Sequence, residues 1–83
     1  MTEQQIQKKI IDKYEKDGWF VLKLIKTNKN GIPDLICLKS NEKPLFIEVK
    51  SEKGKVSPLQ EYRLNELKEY GFDVVFAVYG YVY

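Results

Sequence analysis

The chain has 83 residues, 43% of them hydrophobic and 31% charged, with 14 Lys and Arg against 12 Asp and Glu for a net charge of +2. That length makes one domain, expected to span residues 1–83, and a chain so short buries only about 60–65% of the surface its unfolded form exposes. The lack of histidine excludes Ser-His nucleophilic catalysis, imidazole metal sites and histidine-based nuclease chemistry, and the single cysteine, Cys37, excludes an internal disulfide and CxxC zinc sites.

The composition is that of a globular chain, neither disordered nor membrane-embedded. No run approaches the roughly 20 apolar residues of a membrane span. The opening MTEQQIQKKI carries an early acid and no continuous apolar core, unlike a secretory signal. A cytoplasmic protein, of a bacterium or a phage-infected cell, is the expectation. Between residues 23 and 55, Lys23, Lys26, Lys29, Lys39, Lys43, Lys50, Lys53 and Lys55 outnumber the acids. That stretch could face a polyanion or simply form a solvated surface.

Residues 2 to 17 read as a helix, with Thr2 and Gln5 as a capping box and Ile6, Ile10, Ile11 and Tyr14 at helical spacing; Gly18 ends it. Trp19 to Ile25 reads as a strand, Asp34 to Leu38 as a second and Leu45 to Lys50 as a third, the last two forming a hairpin through Ser40-Asn41-Glu42-Lys43-Pro44. Ser57 is a good N-cap with Pro58 at the first helical position, opening a second helix that runs to Tyr70 and stops at Gly71. Phe72 to Tyr79 is the closing strand, able to return parallel to an earlier one through a crossover. The order is helix, three strands, helix, strand: an α/β fold with a mixed sheet flanked by helices. Trp19, Phe20, Phe46, Phe72 and Phe76 are expected to supply much of its core.

Asp34 follows Gly31-Ile32-Pro33 at a strand start, where a proline needs no ladder donor. In Ile47-Glu48-Val49-Lys50 the period of two puts Glu48 and Lys50 on one face and Ile47 and Val49 on the other. Two carboxylates and an ammonium on neighbouring strands suit magnesium, which keeps several waters and needs only one or two carboxylates beside substrate phosphate oxygens. Such an ion lowers the pKa of its water and neutralises phosphate charge, the tasks histidine would otherwise perform. Lys50 reads as an organiser of charge and water rather than a general base, because adjacent carboxylates favour the ammonium. Taken alone, an alternating strand with Glu48 and Lys50 on a wet face is common, and Pro-Asp starts many turns.

Gly31-Ile32-Pro33-Asp34, Ile47-Glu48-Val49-Lys50 and Ser57-Pro58-Leu59-Gln60 together resemble the signature of the virus-type replication-repair nuclease (VRR-NUC) branch of the PD-(D/E)xK superfamily, over nearly the whole chain. The resemblance implies the αβββαβ restriction-endonuclease-like core, a magnesium or manganese cofactor and a DNA substrate. It implies metal ligation by Asp34, Glu48 and the Val49 carbonyl, with Lys50 and Gln60 positioning the attacking water and Glu3 supporting a second metal or its waters. Each of the outer residues has a structural alternative. Glu3 could complement the dipole of the first helix, and Gln60, three residues after Ser57, could close a capping box. Arg63, Lys53 and Lys55 suit phosphate contacts and equally suit a solvated surface.

The function expected is DNA phosphodiester hydrolysis. Nothing resembles a zinc finger or a helix-turn-helix reader, so structure-selective cutting is the more economical expectation. The small core and the tail Tyr79-Gly80-Tyr81-Val82-Tyr83 suggest a homodimer, and stand-alone relatives resemble enzymes that resolve four-way (Holliday) junctions in DNA repair. The tail could also be an ordinary edge strand or terminus. The alternatives are a flap or single-strand nuclease within a replication-repair complex, and an inactive nucleic-acid-binding or protein-interaction module.

Overall fold

The structure, a computed structural model, describes residues 2–51, 54–78 and 81–82. Helix α1, Glu3–Lys16, begins at the Thr2 capping box: the Thr2 side chain accepts from the Gln5 N–H while the Gln5 side chain accepts from the Thr2 N–H. It ends in a Schellman motif, with Gly18 N–H donating to Glu15 O and Trp19 N–H to Tyr14 O. Gly18 stands at φ +92°, where a side chain would strain the backbone. The two residues that bracket this motif pack edge to face, Tyr14 against Trp19 at 6.0 Å. Helix α2, Pro58–Glu69, repeats the plan with a Ser57–Gln60 capping box, Pro58 in the first turn and Gly71 and Phe72 closing the end.

Between and after the helices lie β1 (Phe20–Lys23), β2 (Leu35–Leu38), β3 (Leu45–Lys50), β4 (Asp73–Val78) and the two-residue β5 (Tyr81–Val82). They form one sheet in the order β1-β2-β3-β4-β5. The β1/β2, β2/β3 and β4/β5 pairs are antiparallel, and β3/β4 is parallel, as the crossover through α2 requires. The first four strands and two helices make the α/β mixed-sheet, restriction-endonuclease-like core. No helix among the described residues is long and apolar enough to cross a membrane.

The period of two divides the sheet into two faces. Leu35, Cys37, Ile47, Val49 and Ala77 point to one and bury Ile6 and Ile10 of α1 against them. Burial raises the Cys37 thiol to about 11, which keeps it an inert filler. The second face carries Phe46, Glu48, Lys50 and Phe76, and α2 lies against β4 on this side with Leu64 buried.

The core is more aliphatic than the sequence suggested. Phe46 is buried and packs on Phe72 at 5.8 Å, and Trp19, Phe72 and Phe76 are half-buried, but Phe20 is 62% exposed. Its strand neighbour Val21 faces α1, so Phe20 points the other way, on an edge strand that α2 does not reach. Strand β1 is also shorter than expected: Trp19 is used in closing α1, and Leu24 and Ile25 belong to the loop that follows. Residues Tyr81–Val82 of the aromatic tail pair with β4, an addition to the expected strands; Tyr79, Gly80 and Tyr83 lie outside the described residues.

Candidate active site

Leu35 pairs with Ile47, and one step further along the same antiparallel register Asp34 stands opposite Glu48. Both side chains therefore rise on the α2 face, opposite to Leu35 and Ile47. Asp34 is pinned twice. Its Oδ2 accepts from the Val49 N–H at 2.8 Å, and its carbonyl accepts from the Leu24 N–H at 2.8 Å. Pro33, fully buried just before it, has no N–H to leave unpaired.

Glu48 is 2% exposed, the one buried charged residue of the described core, and Phe76 is its neighbour on β4. Its Oε1 is 3.7 Å from Lys50 Nζ, whereas Oε2 has no hydrogen-bond partner among the described residues. Burial above all, together with the neighbouring Asp34 and to a lesser extent Glu3, raises the Glu48 carboxyl to about 8 against the opposing pull of Lys50. Alone at neutral pH, Glu48 therefore favours its protonated, neutral form beside Asp34. A buried acceptor without a partner, next to a second carboxylate, is a place where a divalent cation fits.

Lys50, on the same face as Glu48, donates from Nζ to Gln60 Oε1 at 3.0 Å. The same Gln60 oxygen accepts from the Ser57 N–H at 3.0 Å, and Ser57 Oγ accepts from the Gln60 N–H at 3.1 Å. Gln60 thus closes the cap and at the same time holds the lysine beside the acidic pair.

Glu3 is placed differently. It is exposed in the first turn of α1, and its Oε1 accepts a long bond of 3.4 Å from the Ser51 N–H, at the end of β3. Gly54 packs beside it, where an added Cβ would lie 3.2 Å from both Glu3 Oε1 and Lys50 Cδ. Among the described residues no three His, Cys, Asp or Glu side chains gather at one point, so the converging acids are Asp34 and Glu48, with Glu3 at their margin.

Of the residues with a phosphate alternative, Lys55 is exposed, Lys53 lies outside the described residues, and Arg63 is engaged within the fold. Its Nε donates to Asn30 O at 2.8 Å and its Nη1 to Glu66 Oε1 at 3.0 Å. Helical spacing of Arg63 and Glu66 was the available signal for that second bond. The Val49 N–H bond to Asp34 had none, since a backbone donor looks the same at every position.

A profile of the VRR-NUC domain matches residues 2–78. The chain belongs to the VRR-NUC family. Among solved structures, one described as a VRR-NUC domain superposes with a TM-score of 0.78 at 31% identity, covering 92% of this chain and 82% of that one. Comparison with curated proteins gave no match. The VRR-NUC domain is a nuclease domain of the PD-(D/E)xK superfamily, which typically works with divalent metals. Asp34, Glu48 and Lys50, the residues that the sequence resemblance singled out, lie together on this VRR-NUC domain near the start of α2.

Proposed function

We propose that this VRR-NUC domain is a magnesium- or manganese-dependent DNA endonuclease that hydrolyses phosphodiester bonds at branched structures, four-way junctions above all. The observation that carries the reading is the buried Asp34–Glu48 pair, with Glu48 Oε2 unpartnered and the Lys50–Gln60 hydrogen bond alongside. Asp34, Glu48 and the Val49 carbonyl would hold the ion. Because one residue's N–H and C=O face the same neighbour in an antiparallel ladder, the Val49 carbonyl is on the Asp34 side, beyond the last β2/β3 pair. Bound there, a divalent cation supplies Lewis acidity toward water and phosphate oxygens.

The chain's own residues do the rest. Glu48 would hold a cation in its ionised form, its proton released to solvent, so that both of its oxygens can accept. Lys50, held by Gln60, offers its remaining donors to the attacking water and to the charge that grows on the phosphate. Glu3, reaching from α1 to the end of β3, would order waters on the outer side of the site.

For a second copy of the chain, support comes from the uncovered part of the α2 face rather than from the tail. There Phe20 (62% exposed) and Leu22 (43% exposed) stand opposite the half-buried Leu38 and Ile36. An apolar patch on a nuclease this small suits a two-fold dimer, and two symmetric sites suit paired nicks across a junction.

The test is cleavage of labelled four-way junction, flap, single strand and duplex with magnesium, manganese or chelator, beside sedimentation of wild type and Phe20→Asp. Paired symmetric junction cuts by a dimer support the proposal in full. Metal-dependent cutting of flaps or single strands by a monomer replaces the junction reading with a flap nuclease, and no cutting of any DNA in any metal leaves an inactive binding module.

A further inference from the structure

The eleven residues between β1 and β2, 24–34, form a loop fixed at three places. At its base Leu24 N–H donates to Asp34 O at 2.8 Å. At its tip Thr27 Oγ1 donates to Lys29 O at 2.6 Å and accepts from the Lys29 N–H at 3.4 Å. On its return Arg63 holds the Asn30 carbonyl, and Gly31 lies so close to α2 that an added Cβ would meet Leu59 Cγ at 2.8 Å.

The loop so held encloses a surface cavity of about 250 Å³, lined by residues 24–27 and 29–32. With liquid water occupying about 30 Å³ per molecule, that is room for a phosphate group and several waters. Lys26 and Lys29 stand on its wall with no acid among the lining residues, and among the described residues neither has an ion-pair partner. Ile32, at the inner end of the cavity, is two residues from Asp34. An extended chain advances at most about 3.6 Å per residue, so the Ile32 backbone on the cavity wall lies within about 7 Å of the Asp34 backbone. A strand whose scissile bond lies over the acidic pair would carry a neighbouring phosphate past this part of the loop.

We infer that this cavity is a subsite for a backbone phosphate flanking the scissile one, with Lys26 and Lys29 as its ligands. The inference rests on the nuclease reading of the neighbouring site for the identity of the polyanion. Its role is to set the strand's register over Asp34 and Glu48 by backbone contact without reading bases. The rigid loop matters because a phosphate held by a mobile tip would attract DNA without aligning it.

The experiment measures binding of a short fluorescent duplex in chelator, where no cutting occurs, over a range of salt. Lys26→Ala/Lys29→Ala is expected to weaken binding about tenfold and to lower the slope of log affinity against log salt by about 0.9, the value of one lost phosphate contact. Lys9→Ala/Lys16→Ala, which removes equal charge from exposed positions of α1, is expected to change neither. In manganese the loop variant should lower kcat/KM by at least the same factor, and a neutral methylphosphonate one or two positions from the cut should slow wild type but not the variant. Unchanged affinity in the loop variant, or an equal loss in the α1 control, overturns the subsite while cleavage by wild type upholds the nuclease. If wild type cuts no DNA in any metal, the nuclease reading falls, and the binding comparison still decides whether the cavity takes phosphate.

Discussion

Gln60 Oε1 accepts at once from Lys50 Nζ and from the Ser57 N–H, each at 3.0 Å, so a single oxygen closes the helix cap and fixes the site's lysine. The geometry of the site is thereby coupled to the start of α2. Gln60→Glu keeps the capping acceptor, which glutamate fills equally well, whereas Gln60→Ala removes both bonds. Gln60→Ala should lose about 1 kcal/mol of stability, the usual value of a cap, and lower cleavage at least tenfold. Gln60→Glu should melt near wild type yet cut more slowly, because a full charge now holds Lys50 in an ion pair. Thermal melts beside cleavage rates decide the matter: a destabilised Gln60→Ala with wild-type activity would leave Gln60 as a cap and nothing more.

Glu48 makes stability in chelator depend on pH. Its carboxyl moves from the ordinary 4.5 to about 8 in the fold. Between those values the folded chain keeps a proton that the unfolded chain has released, so this contribution is complete below about 4.5 and lost as pH climbs through about 8. The total is of the order of a few kcal/mol. Melts in EDTA from about pH 5 to about pH 9 should show wild type losing melting temperature relative to Glu48→Gln, which cannot ionise. Parallel profiles for the two proteins would mean that Glu48 is charged throughout.

The parts of this arrangement that sequence made legible are those governed by local chemistry. Thr2, Gln5 and Gly18 bounded α1, and Ser57, Pro58 and Gly71 bounded α2, because caps and positive-φ glycines act within a few residues. The period of two put Glu48 beside Lys50 without knowledge of the fold. What sequence left open depends on cross-strand register. Asp34 stands opposite Glu48 only because the turn at Lys39–Glu42, with Asn41 at φ +65°, sets the hairpin as it does. Phe20 was misplaced for a similar reason: its hydrophobicity is local, but whether a helix covers it depends on where α2 lands.

Asp34 has two separable duties, as acceptor for the Val49 N–H and as a charge opposite Glu48. Asp34→Asn retains an oxygen for the first and removes the second. In chelator above about pH 8, where Glu48 is ionised, it should raise the melting temperature by several degrees, about 1 kcal/mol in a domain this small. Near pH 6 the gain should shrink, since the proton on Glu48 already relieves the repulsion. Asp34→Ala leaves the Val49 N–H without its acceptor and should melt lower at both pH values. Magnesium or manganese should raise the melting temperature of wild type by mass action and neither variant's, and both variants should be inactive. A lower melting temperature for Asp34→Asn at high pH would show that the hydrogen bond outweighs the charge.

Arg63 ties the loop that delivers Asp34 to the helix that carries Gln60, by donating to Asn30 O at 2.8 Å while Glu66 orients it at 3.0 Å. Gly31 permits the approach: it stands at φ +79°, and a Cβ there would lie 2.8 Å from Leu59 Cγ and 3.1 Å from Leu59 O. Gly31→Ala should therefore lose about 1–2 kcal/mol from the backbone alone, with more from displacing α2. Arg63→Lys is the sharper variant, because it preserves the charge and gives up the fork that reaches two acceptors. If Arg63 positions the loop, Arg63→Lys should lower kcat about tenfold with little change in KM, while the melting temperature falls by only a few degrees. Were Arg63 instead a phosphate ligand, lysine would serve nearly as well, kcat would hold, and Arg63→Gln would raise KM and flatten the salt dependence of DNA binding. The contrast between those two kinetic patterns separates a residue that aligns Asp34 with Gln60 from one that touches the substrate.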